Sequence, residues 1–256
     1  MNNTNHQTVP NHVLALVPGS TPADWRRHDN GGGWVHRAAR VARTAFIGPD
    51  AVVADHAEVL DHGVVRDHAR VCGNALVCGR AIVAGHARVC GNAWIRDHAV
   101  VWGNAEVRDH AVVCDNGIVA DHAVISGTAT VGGLAKVSGS ATVCDHARIG
   151  GFARVGDRAA VYGSAVIDGT AAVGGNAMIV WHAEIGGNAE IGGRAVIADN
   201  AVVGGAAKIA DHAHVCGNAR VGGFARIGGF AEVCGSANVR GNADIGGNAV
   251  VNGGDA

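Results

Sequence analysis

The sequence predicts an all-β solenoid, and three observations carry that prediction. From Ala39 onward a six-residue unit recurs thirty-six times without insertion or deletion. Every sixth residue from Ala39 to Ala249 is alanine, with glycine only at Gly63 and Gly117. Two residues after each stands Val or Ile, from Val41 and Ile47 to Ile245 and Val251. A fixed short period means that each unit buries its apolar side only against its neighbours, which is how a solenoid is built.

Written out, the unit is A-x-V-x-[G/D]-[N/H/S/R]. Ala and Val lie two apart, so both face one side of a strand and the residue between them faces the other. The Gly/Asp-Asn/His pair then turns the chain, because Gly accepts positive φ freely and Asn, Asp and His tolerate it best among the rest. Strand and turn alternating every six residues give a triangular coil of three hexads. Thirty-six hexads make twelve coils, a parallel-stranded rod ~55–60 Å long at ~4.8 Å per coil. Residues 1–36 precede the regular period and carry Pro10, Pro18, Pro22 and Trp25, so they read as an irregular arm or cap. Residues 37–256 form the helix. After Val251 only NGGDA follows, which leads us to expect an uncovered last coil prone to end-to-end contact or partner docking.

Composition narrows the class of function. The chain has 256 residues, 40 of them Gly, only 4% aromatic, and a net charge of −2. Leu and Phe are scarce, so the interior must be a thin tube filled by Ala and Val/Ile. Near-neutral charge argues against a nucleic-acid or anionic-membrane partner. No stretch approaches a membrane span, and MNNTNHQTVPNH does not read as a secretory signal. Seven cysteines, an odd number, suggest reduced thiols and a cytoplasmic setting. All of them follow the repeat's Val, and they read as wall residues, not as disulfides or metal ligands.

Residues eighteen apart stack on one wall. One outward column runs Phe46, Val64, Ile82, Val100, Ile118, then Lys136, Arg154, Ala172, Glu190, Lys208, Arg226 and Asp244. Five apolar residues give way to a mostly charged stripe. The apolar part makes a patch of ~300–400 Å², and a second column adds Leu76, Trp94 and Val112 at similar heights. The patch reads as an oligomer interface, or else as a surface covered by the N-terminal arm with its HVLALV run and Trp25.

Fifteen histidines and eight Asp-His pairs invite a metal or acid–base reading. Such chemistry needs the groups to converge. Ten of the histidines instead occupy the turn slot that Asn fills elsewhere, on three different corners. An Asp accepting local backbone N–H bonds beside a permissive His accounts for them as turn chemistry. His68 and His86 are the one pair eighteen residues apart and form the candidate for adventitious metal binding. Outward Thr130 and Thr142 are isolated, which removes an ice-binding ladder.

The aliphatic residue, often followed by Gly, with a small residue four positions on, resembles the hexapeptide repeat of left-handed parallel β-helices. IGGNAEIGGRAVI (185–197) resembles the coils of hexapeptide acyltransferases. The opening GGGWV (31–35) resembles that of a group of bacterial and phage hexapeptide-repeat proteins. The resemblance covers about 85% of the chain and implies a single-stranded left-handed helix. It implies function only weakly, since the hexads build scaffold. In the acyltransferases a His acts as general base, a coenzyme A thioester lies between subunits of a trimer, and a loop interrupts the coils to help build the acceptor site. Here no loop interrupts the repeats, so no catalytic residue is carried over. Corner histidines beside the apolar stripe, His62, His86 and His98, are the candidates if catalysis occurs. The expected function is a non-catalytic structural or interaction rod without a cofactor. It would self-associate as a dimer or trimer, or bind a partner protein, through Phe46–Ile118. The alternative is a trimeric acyl-CoA-dependent acyltransferase.

Overall fold

A computed structural model describes residues 8–253. Strands of mostly two residues each are joined by four-residue connections and stack into three sheets of 14, 12 and 12 strands, parallel except for the first pair of the 14-stranded sheet. The sheets are the walls of a triangular rod of about twelve turns. Wall I holds Trp34–His36, Val52–Val53, Arg70–Val71 and their successors. Wall II starts at Arg40–Val41 and wall III at Phe46–Ile47. Register is a constant eighteen residues, as where Ile82 pairs with Val64 on one side and Val100 on the other.

The inward Ala and Val/Ile residues form one continuous buried column from Val35 to Val239. Each coil donates its N–H groups to carbonyls of the coil that follows, as Ile82 N–H does to Ala99 O at 2.9 Å. The first coil's carbonyls therefore have no preceding coil to bond them and need donors from elsewhere. The arm supplies these. His28 Nε2 and the Asn30 amide reach Ala45 O at 3.1 and 3.0 Å, and Gly33 N–H reaches Ile47 O at 2.8 Å. A Cβ on Gly33 would stand 2.4 Å from Gly48 O, so only glycine permits this approach. Trp25–Arg27 pairs antiparallel with Trp34–His36, and that second strand already belongs to wall I. At the other end Ala243, Ile245, Ala249 and Val251 are only half-buried, and residues 254–256, the last of the NGGDA tail, lie outside the described residues.

The turns hold a correction to the expected chemistry. Eleven aspartates, in the first turn slot, take positive φ themselves, and the His beside them does not. Their carboxylates do not take up the backbone N–H groups of their own turn, although Asp97 and Asp109 also bond the arginine just before them. Each accepts the backbone N–H eighteen residues on, in the next coil, as Asp55 does from Gly73 at 2.9 Å and Asp121 from Gly139 at 3.0 Å. The Asp-His pairs are thus inter-coil staples with a neighbouring His. Trp181 also sits at positive φ, 60°.

Candidate functional site

The apolar half of wall III is a flat surface built from two columns. Phe46, Val64, Ile82, Val100 and Ile118 stack in register, the last four half-buried by their neighbours and Phe46 at the edge of exposure. Two residues along the same strands a second column runs through Ala84, Trp102 and Ala120. The two alanines are buried while Trp102 remains 45% exposed, so a large indole stands out of the wall, and Arg66 precedes them in the same column, exposed and ion-paired to Asp67. The sequence reading passed over Trp102. The step of eighteen applied to the residue after each Val, as well as the one before it, would have found it.

Among the described residues the arm meets this surface at its Phe46 end, where Gly31 lies against the Phe46 ring; the rest packs elsewhere. Its Val9, Val13 and Trp25 pack with Trp34, Val52 and Ala54, all on wall I. Leu76, Trp94 and Val112 stack as one column, but on wall II. Trp94 is exposed there beside an open hollow of about 480 Å³ lined by Asn74, Asn92 and His110. The two apolar columns therefore face different directions, separated by the corner that carries His62, Arg80 and His98.

Beyond Ile118 the same wall turns polar and gains relief. Gly156, Gly174 and Gly192 replace side chains in the second column and floor an open groove of about 840 Å³. Lys136, Arg154 and Lys208 rim it, with Lys208 ion-paired to Glu190 at 2.6 Å. A Cβ on Gly192 would meet nothing within 4 Å, so that glycine only keeps the groove open, whereas a Cβ on Gly174 would stand 2.8 Å from an Asp157 carboxylate oxygen.

The candidate histidines occupy corners. His62 and His98 share one, with Arg80 between them, and their backbone N–H groups bond Gly79 O and Asp115 O. His86 stands on the next corner, stacked on His68 with ring centroids 4.9 Å apart and planes 16° from parallel. His86 also borders a smaller hollow with Arg88, Asn104 and Glu106.

Wall I gathers five of the seven cysteines into one outward column: Cys72, Cys90, Cys144, Cys216 and Cys234. Two pairs are direct neighbours. Cys216 and Cys234 have Cα atoms 4.6 Å apart and form a disulfide, which corrects the expectation of seven separate wall thiols. Stacking in register brings the Cα atoms within the range a disulfide needs. Cys72 and Cys90 remain thiols. The Cys72 S–H donates to the Cys90 sulfur, which brings the Cys90 thiol down to about 7, Arg108 helping, and raises Cys72 far above its usual range. Burial, followed by the Asp145 charge, raises Cys144 to about 11.

The fold is a single-chain parallel β-helix built from hexapeptide repeats. Among solved structures the chain is similar to a UDP-N-acetylglucosamine acyltransferase from Campylobacter jejuni, at 20% identity and a TM-score of 0.34 over 71% of this chain and 66% of that one. It is also similar to LpxA from Acinetobacter baumannii, at 13% identity and a TM-score of 0.25 over 80% and 72% of the two chains. The chain spans just under two thirds of the Campylobacter protein's length. No family model and no curated protein matches the sequence. Among the described residues no helix is long and apolar enough to cross a membrane.

Proposed function

We propose that the protein is a non-catalytic interaction rod that pairs with a second copy of itself through the apolar half of wall III. One observation carries the reading. An unbroken apolar column and the projecting Trp102 share a flat wall that the described part of the arm leaves open beyond Phe46. Flat β walls with a matched coil spacing suit face-to-face packing, and closed two-fold symmetry is the default for like subunits.

The charged half of the wall constrains how two copies meet. Parallel rods packed wall III to wall III about a two-fold axis would set Lys136 against Lys136 and Arg154 against Arg154. Full antiparallel overlap would press the charged half onto the apolar one. An antiparallel pair centred near Ile82 avoids both, overlapping across about five coils, or ~24 Å, with the charged halves pointing apart. A buried face of ~300–400 Å² per copy is about half that of a standard stable interface, so a weak dimer with a roughly micromolar Kd is expected. Ile82→Asp tests this by sedimentation equilibrium. It places a carboxylate at the centre of the face, where desolvation costs several kcal/mol. The dimer should weaken at least ~100-fold while the β-sheet circular dichroism stays native. Unchanged association would refute the proposed face, and loss of the sheet signal would show that Ile82 serves internal packing.

The second reading, acyl transfer from a coenzyme A thioester, draws support from the glycine-floored groove, whose Lys136 and Arg154 suit phosphate groups. His62, His86 and His98 are its candidate bases. Coenzyme A raising the melting temperature would favour it, with the rise lost on Arg154→Ala.

A further inference from the structure

From the geometry we infer that wall I carries a redox-gated zinc site made by His214, Cys216, Glu232 and Cys234. These four residues come from two consecutive strands of the same wall. His214 pairs directly with Glu232, and Val215 with Val233. The valines point inward and are buried, so the residues on either side point outward and form a two-by-two grid. Their donor atoms, one from each residue, all lie within 4.8 Å of one another. The Cys234 sulfur is already 3.5 Å from a Glu232 carboxylate oxygen. Tetrahedral zinc with bonds of ~2.0–2.3 Å spaces its donors ~3.3–3.8 Å apart, within reach of rotamer changes. Two thiolates, an imidazole and a carboxylate are a donor set that zinc accepts, and thiolate sulfur selects it over calcium or magnesium.

The same two sulfurs form the disulfide, so the site has two exclusive states. In the reduced state Zn²⁺ displaces the two thiol protons and binds both sulfurs. Oxidation proceeds by thiol–disulfide exchange with a small-molecule disulfide. One thiolate attacks it, releasing one thiol and leaving a mixed disulfide, and the second cysteine displaces the other. Two electrons pass to the small disulfide, which leaves as two thiols after taking two protons from water, and the zinc is released. The grid lies on the rigid wall, so neither state requires the backbone to move. The other stacked pair, Cys72 and Cys90, is flanked in the corresponding positions by Arg70 and Arg88. It lacks the imidazole and carboxylate and provides an internal control.

The test uses the full chain and cobalt(II) as the spectroscopic probe for zinc. Protein reduced with a phosphine should bind one equivalent and show thiolate-to-cobalt charge-transfer absorption with tetrahedral d–d bands, and zinc should displace the cobalt. Protein oxidised with glutathione disulfide should show neither. Cys216→Ser with Cys234→Ser should abolish the charge-transfer band. His214→Ala and Glu232→Gln should each weaken cobalt binding more than about tenfold while keeping the band. Cys72→Ser with Cys90→Ser should bind as the parent does. Circular dichroism of each variant establishes that the wall is intact, which outward positions on a long sheet should tolerate. The proposal is overturned if the reduced protein takes up no cobalt, if the oxidised protein binds equally well, or if loss of His214 and Glu232 leaves the affinity unchanged.

Discussion

Replacing Asp121 separates the two jobs of a turn aspartate. Asp121 holds φ at 60° and accepts the Gly139 N–H at 3.0 Å from the next coil. Alanine loses both the acceptor and the tolerance. The lost hydrogen bond is worth about 1 kcal/mol at this exposed position. Placing a residue with a Cβ but no compensating polar group in the left-handed region adds about 1 kcal/mol more. Asp121→Ala should therefore destabilise by about 2 kcal/mol. Glycine also loses the acceptor and loosens the unfolded chain, but is free of the left-handed penalty, so Asp121→Gly should cost only about 0.5–1 kcal/mol. Asparagine keeps a side-chain acceptor and tolerates positive φ, and should fall within about 1 kcal/mol of the parent. Urea unfolding followed by circular dichroism, with slopes compared to confirm a common transition, gives the three values. If Ala proves as mild as Gly, the positive φ is not what the position demands. If Gly proves as damaging as Ala, the staple outweighs the backbone and the division is wrong.

Two further outcomes follow from single residues. Trp181 is a bulky side chain at φ 60°, largely exposed at a turn where other coils use Gly or Asp. Trp181→Gly should stabilise by about 1 kcal/mol and raise the melting temperature by ~2–4 °C, and a fall would show that the indole has a packing or binding role. Cys90, its thiol at about 7, should be alkylated by iodoacetamide with a midpoint near neutral pH, while Cys144, at about 11, stays unreactive until the solution is strongly alkaline. Because deprotonation makes the nucleophile, reactivity rises with pH through each value. Cys72→Ala removes the S–H donor and should move the Cys90 midpoint upward in a mass-spectrometric pH series. An unmoved midpoint would rule out that hydrogen bond as the cause.

The walls, coils and interior were legible because the hexad imposes them. Ala39 to Ala249 and the partner Val/Ile residues leave no other inward face. The division of labour within the turns was less so, since the hexad places Asp and His side by side without saying which takes positive φ. It also cannot show that a carboxylate reaches the next coil in preference to its own. The stacked His68–His86 pair followed from the step of eighteen. The same step applied to cysteines would have paired Cys72 with Cys90 and Cys216 with Cys234, and applied to the second outward column it would have shown Trp102 between two alanines. The seat of the arm on wall I was not readable, because residues before the repeat carry no register. The groove was hidden for a related reason: Gly156, Gly174 and Gly192 look like turn punctuation until stacking aligns them.

Molar mass in solution, by size-exclusion chromatography with light scattering over a hundredfold concentration range, bears most directly on the self-associating rod. A mass near twice 25.7 kDa at high concentration, falling toward the monomer on dilution and indifferent to coenzyme A, is the expected result. A monomer at every concentration, or a stable trimer tightened by coenzyme A, would contradict it.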